Sequence, residues 1–282
     1  MSTLLQRQLA DRRSGRFVGI YSVCSAHHWV VRAAAEQAAD DGSLLLIEAT
    51  SNQVNQFGGY TGMRPQQFRE FVLRHIADAG VAAEKLILGG DHLGPNPWRK
   101  ESAEKAMQLA EAMVAEYVSA GFTKIHLDAS MPLGDDRAPL SDELIAHRAA
   151  RLCHAAENAR TGGEAPVYVV GTEVPTPGGA THALEGVEVT SAEAAEHTFE
   201  VHKRAFTEAG LHEVWPQVLA LVVQPGVEFD HHFRGWVRPA EGPLSRDLAD
   251  SSARSNRLRG AFYGLPKGLG LSGARSRRIR DP

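Results

Sequence analysis

Residues 85–96 read KLILGGDHLGPN: an aliphatic run over 85–88 that passes directly into two glycines, an acid, a histidine and a turn-forming Gly-Pro-Asn. A short run that is apolar throughout, rather than alternating, predicts a parallel strand buried on both faces. The same pattern recurs along the chain. Apolar or β-branched runs at 17–23, 43–49, 124–127, 167–170 and 218–223 lead into CSAH at 24–27, TSNQ at 50–53, DAS at 128–130, GTEVP at 171–175 and QPGVEFDH at 224–231. Helical patterns fill the intervals at 29–39, 65–79, 102–120, 141–159 and 191–208. Pro65 suits a first helical turn, and Ser102 with Gly121 forms a cap-and-stop pair. Alternating strands and helices predict a parallel α/β fold, either a barrel or a doubly wound sheet. Reactive residue types follow every strand, as in a (β/α)8 barrel; a doubly wound sheet gathers them at one switch point. The expected fold is therefore an α/β (β/α)8 TIM barrel, incomplete, with about six of its eight strands present. Neither GxGxxG nor a Walker A sequence occurs, so dinucleotide and P-loop folds have no support.

The chain has 282 residues, 43% apolar and 23% charged, the balance of a soluble domain with a proper core. No apolar run approaches the roughly eighteen residues of a membrane span. The opening MSTLLQRQLADRR lacks the apolar centre of a secretory signal and reads as a short amphipathic helix. Two cysteines, Cys24 and Cys153, make neither a disulfide framework nor a zinc ribbon, so a cytoplasmic location is expected, with no membrane partner. Residues 232–282 differ from the rest. They carry eleven Lys or Arg against four Asp or Glu, whereas 1–231 carries nineteen against thirty. Such a reversal often marks a nucleic-acid arm. A one-base slip of the reading frame near His231 explains it better, because the shifted frame permits EAHSTDYQ across 259–267, a strand-like word. The expected organisation is an incomplete barrel domain at 1–231 and an out-of-frame, disordered tail at 232–282, with no nucleic-acid partner.

Several residues at the strand ends are suited to chemistry. Asp91 and His92 are adjacent and are expected on different sides of a loop, one able to take a proton and the other to bind a metal. A loop Asp capping the next helix beside an incidental His is the alternative. His126 and Asp128 share one orientation by strand alternation, His126 reading more readily as an inner-layer packing residue. Glu48, Asp91, Asp128 and Glu173 together form a ring of carboxylates that needs a cation inside it. The amide-rich run at 52–56, with Asn52, Gln53, Asn55 and Gln56, suits recognition of sugar hydroxyls. Cys24 has no neighbouring positive charge in the sequence and reads as packing.

The segments GIYSVCSAH (19–27), LIEATSNQVNQFGGYTG (46–62), ILGGDHLGPN (87–96), KIHLDAS (124–130), GTEVPTPGG (171–179) and VVQPGVEFDH (222–231) resemble the accessory-subunit family of the class II D-tagatose-1,6-bisphosphate aldolases. The resemblance runs from about residue 19 to 231. It implies a non-catalytic partner of a separate catalytic aldolase chain in galactitol and N-acetylgalactosamine catabolism, the protein being non-functional if the frame slip is real. The other reading it permits is a metal-dependent ketose-phosphate 4-epimerase or aldolase in its own right. The family is similar to the zinc-dependent aldolases, in which an Asp base precedes a His zinc ligand, the places of Asp91 and His92. Asp128-Ala129-Ser130 looks like their strand-four Asp-Gly-Ser. Where they carry a second zinc His, this chain has Gln224-Pro225-Gly226 and only later His231. The residues and the resemblance together give catalytic roles to Asp91, Asp128 and Glu173, and substrate binding to Glu48, Asn52, Gln53, Asn55, Gln56 and Ser130. It implies His92, and more weakly His231, as ligands of a divalent metal, zinc.

Overall fold

The structure, a computed structural model, describes residues 3–16, 18–171 and 190–224. Within these, six strands form one parallel sheet: β1 (Ser22–Cys24), β2 (Leu45–Thr50), β3 (Leu86–Leu93), β4 (Lys124–Leu127), β5 (Val167–Val170) and β6 (Val218–Leu221). They pair in the order of the sequence, β1-β2-β3-β4-β5-β6, every pair parallel. Sequential order without a switch point is the order of a barrel and not of a doubly wound sheet. The expected fold class holds, with six strands among the described residues.

Each crossover carries a helix: α2 (His28–Asp41), α3 (Pro65–Asp78), α4 (Ala103–Ser119), α5 (Asp142–Asn158) and α6 (Ala192–Glu208), after an N-terminal α1 (Leu4–Arg13). Their ends follow from local chemistry. Ser141 and Ser191 accept hydrogen bonds from the amides of Leu144 and Ala194, satisfying first-turn donors. Pro65 opens α3, and Gly42, with φ of 64°, closes α2. No described helix is long and apolar enough to cross a membrane.

The two faces of each strand part into two layers. Leu45, Ile47 and Ala49 of β2, Ile125 and Leu127 of β4, and Tyr168 and Val170 of β5 pack outward against the apolar faces of the helices, including Phe68, Met113 and Phe206. Their alternate neighbours Leu46, Glu48, Lys124, His126, Val167 and Val169 are buried as well, outside that cluster. These line the barrel interior, and this layer holds the ionisable groups. Two clamps fix the loops above it. The Tyr117 hydroxyl of α4 donates to Val54 O at 2.9 Å, holding the loop after β2. Arg148 of α5 grips Asp136 through two hydrogen bonds of 2.7 Å each, holding the loop after β4. That guanidinium keeps the Asp136 carboxyl below its ordinary range.

Candidate functional site

Strand β3 runs further than the apolar run at 85–88 suggests, through Gly89, Gly90, Asp91 and His92 to Leu93. Gly90 pairs with Ile125 and Leu93 with Leu127, so β3 carries one residue more than β4 over that stretch. The extra residue is a bulge, and it coincides with His92 at φ of 48°, the one positive value at a non-glycine among the described residues. The expectation that Asp91 and His92 face opposite sides is corrected here. Regular alternation would separate them, but the left-handed turn at His92 swings both toward the interior. One ligand atom each from Asp91, His92 and His126 lies within 4.8 Å of the others.

Each histidine in this cluster is held from behind. His92 Nδ1 lies 2.8 Å from Asp128 Oδ2, and His126 Nε2 lies 3.2 Å from the carbonyl oxygen of Gly171. Both oxygens are acceptors, so these two nitrogens carry the protons and the other nitrogen of each ring is left with its lone pair. The lone pair of His126 Nδ1 accepts from the His92 amide at 3.3 Å, and Asp91 Oδ1 lies 3.2 Å from the same nitrogen. Asp128 is fixed in turn, its Oδ1 accepting from the amide (3.1 Å) and hydroxyl (2.8 Å) of Ser130. Two imidazoles oriented by acceptors, with a carboxylate beside them, form the donor set of a divalent transition metal. The residues fit such an ion.

Behind the cluster runs a second set of charges. Glu48 on β2 reaches across Gly89 of β3 to Lys124 on β4, and its other oxygen accepts from the Ser22 hydroxyl of β1. A Cβ at position 89 would overlap the Glu48 carboxylate, so glycine is needed for this crossing. Glu48 and Lys124 are only 1% and 3% exposed. Lys124 Nζ also lies 3.9 Å from Asp91 Oδ1. The electrostatics follow. Burial pushes the Asp91 carboxyl up, but the close approach of His126 and the ammonium of Lys124 outweigh it and hold Asp91 well below its ordinary range. Asp128 shifts down for the same kind of reason: burial opposes, and the His92 bond and charge prevail. For His92 burial lowers the affinity for a proton, while Asp128 and Asp91 raise it, with a net upward shift. The Cys24 thiol is pushed up, by burial first and then by Asp91 and Glu48, so it stays protonated.

The remaining expected residues fall in different places. Asn55 is buried and engaged within its own loop, donating to Ser51 O and accepting from the amides of Phe57 and Gly59. Gln56 donates to Leu109 O on α4 at 2.9 Å, which turns it to the outer layer. Gln53 stays near the interior, its Oε1 accepting from the Thr50 amide beside Cys24. Asn52 lies half-buried in the same loop. Ser130 bonds Asp128. Glu173 and His231 lie outside the described residues. Two residues of this cluster do not stand out in the sequence: Lys124 altogether, and His126 as a candidate metal ligand. The signal was strand alternation, which puts 124, 126 and 128 on one face.

Residues 5–248 match the family described as D-tagatose-1,6-bisphosphate aldolase subunit GatZ/KbaZ-like. The chain belongs to this family. It is 54% identical over 231 residues to the D-tagatose 6-phosphate 4-epimerase of Agrobacterium fabrum (strain C58 / ATCC 33970), covering 81% of this chain and 54% of that protein. It is 52% identical over 233 residues to the D-tagatose-1,6-bisphosphate aldolase subunit GatZ of Escherichia coli (strain K12), covering 82% and 54% respectively. The chain thus spans about half the length of these curated relatives. A crystal structure of a probable tagatose 6 phosphate kinase from Sinorhizobium meliloti 1021 is similar with a TM-score of 0.74 at 43% identity, covering 87% of this chain and 58% of that one. A putative fructose-1,6-biphosphate aldolase from Coccidioides immitis shares the fold, with a TM-score of 0.50 at 18% identity.

Proposed function

We propose that the whole protein acts on a ketose phosphate at the mouth of this barrel, as a metal-dependent 4-epimerase, with the divalent ion held by Asp91, His92 and His126. One observation carries the reading: two histidines, each fixed by an acceptor behind it, converge with a carboxylate, and an interior that needed only packing has no use for that arrangement. A relative at 54% identity that bears the name D-tagatose 6-phosphate 4-epimerase supports it. When bound, such an ion supplies Lewis-acid polarisation of a sugar oxygen. Asp128 orients His92, and Lys124 and Glu48 hold the charge of Asp91. Asp91 is the proton acceptor assigned from its place before His92. Its lowered proton affinity suits a metal ligand better, because a general base works best with a pKa near the operating pH. Proton transfer then rests with Glu173, and Gln53 and Asn52 with substrate hydroxyls. His231 is a further ligand only if its segment returns to this mouth.

A second reading has its own support, since the GatZ relative is named as an aldolase subunit. On it the protein stabilises a separate catalytic aldolase chain in the cytoplasm, as part of galactitol breakdown. Incubating the metal-loaded protein alone with tagatose 6-phosphate separates the two. Conversion to fructose 6-phosphate is expected; no conversion, together with a gain in activity of an added class II aldolase, would establish the subunit role instead. We also propose a one-base slip of the reading frame near His231, which resequencing the gene there tests.

A further inference from the structure

We infer that Lys124 is a built-in second cation: its ammonium fills the place between Glu48 and Asp91 that a second divalent ion would otherwise take, which restricts this barrel to one metal. The inference deepens the metal reading above and rests on it. Three described carboxylates, Glu48, Asp91 and Asp128, converge on the interior. Asp128 is occupied by His92 and Ser130, so Glu48 and Asp91 remain as the acidic pair beside the metal donors. Lys124 Nζ lies between them, against Glu48 Oε1 and 3.9 Å from Asp91 Oδ1. Asp91 therefore faces two cation positions. One is the donor set with His92 and His126; the other is the ammonium.

That is the layout of a bridging carboxylate in a two-metal site, whose ions stand about 3.5–4 Å apart. Here the second position is filled by a covalently attached charge. Lys124 and Glu48 form a buried ion pair there. A buried carboxylate stripped of its cation is strongly disfavoured, so removal of the ammonium creates a demand for another cation in the same place. Glycine at position 89 leaves no Cβ against the Glu48 carboxylate, which lets it reach that place. Lys124 is accordingly a positioning residue that sets the number of ions.

The test counts Mn2+ per chain by metal analysis and by electron paramagnetic resonance, on the full chain. Wild type is expected to bind one ion with an isolated-Mn2+ signal. Lys124→Ala is expected to bind two, with the signal of a coupled pair. Lys124→Ala combined with Glu48→Gln is expected to return to one. A folded Lys124→Ala that still binds one ion overturns the inference and leaves the single-metal reading intact. Wild type that binds none sinks both. If Lys124→Ala is insoluble without metal, it is folded in Mn2+ and desalted before counting. Insolubility there too, while Lys124→Met with Glu48→Gln folds normally, also overturns the inference, because a free cation then cannot replace the ammonium.

Discussion

Inside the barrel, Glu48 and Lys124 form an ion pair whose side chains are 2% and 3% exposed; on the outer helices Arg64 and Glu116 form one at 56% and 33%. The two pairs have the same chemistry and opposite surroundings. The outer pair keeps its water and adds little. The inner pair has lost its water, and an apolar pair of similar volume could replace it without loss of stability. A charged interior at that position therefore points to use. The network from Ser22 through Glu48, Lys124 and Asp91 to His126 crosses four strands and ends at the metal donors. Charge on the outer layer costs little and adds little, whereas charge in the inner layer is costly unless paired.

The sharpest way to break that contrast is Glu48→Ala. It leaves Lys124 buried without its main counter-charge, and a loss of about 3–5 kcal/mol is expected in urea denaturation. The neutral pair Glu48→Leu with Lys124→Met should recover most of it. A loss below about 1 kcal/mol for Glu48→Ala would mean that the inner pair behaves like a surface pair.

Next in size is the effect of Asp128→Asn. The amide keeps the shape but not the charge that orients His92 through its 2.8 Å contact. Zn2+ affinity should fall by about 10–100-fold in calorimetry, with the fold unchanged by circular dichroism. Asp136→Asn, a loop carboxylate with no contact to the cluster, should leave affinity unchanged; an equal fall in both would remove the special status of the inner layer.

Much of this layout is legible from residues alone. Six apolar runs became six strands, and the helical intervals at 141–159 and 191–208 begin on serines that cap, whereas Ser102 stands at the N-cap of α4 without a side-chain cap bond. The place of Asp91 and His92 at the end of the third strand was legible too. Their common direction was not, because the bulge is a relation between β3 and β4 and depends on a one-residue mismatch that neither strand carries by itself. Lys124 was hidden for another reason. A lysine at the start of an apolar run reads as a strand edge, and only the pairing partner, Glu48 across a glycine, makes its burial affordable. Asn55 and Gln56 illustrate the limit of composition: amides suit hydroxyls, but theirs are already engaged by the loop and by α4.

The clamp at Asp136 sharpens the contrast through pH. Its carboxyl is held below the ordinary range, mainly by Arg148, so the folded state binds a proton there less readily than the unfolded chain. That contribution is fully present above the unfolded pKa of about 3.9 and is lost as pH falls toward the folded value. Asp136→Asn should lower stability at pH 7 by about 1.5 kcal/mol, the scale of one charge-assisted hydrogen bond. The gap between variant and wild type should narrow as pH drops below about 4. A gap that stays constant through acid denaturation would mean that Asp136 acts by shape and not by charge.

The smallest expected effect comes from the outer pair itself. Arg64 on the rim of α3 reaches Glu116 of α4 through contacts of 2.6 and 3.3 Å, two bonds that look as good as any in the interior. Both side chains remain in contact with water, so their desolvation is slight and their attraction is screened. A double-mutant cycle with Arg64→Ala and Glu116→Ala should return a coupling of about 0.2–1 kcal/mol at low salt. In 1 M NaCl, where the screening length is about 3 Å, the coupling should fall toward zero. The same cycle on Glu48 and Lys124 should be nearly insensitive to salt, because a buried pair is screened far less than an exposed one. A salt-insensitive outer pair, or an inner pair that weakens with salt, would show that burial does not divide the charges of this protein into two kinds.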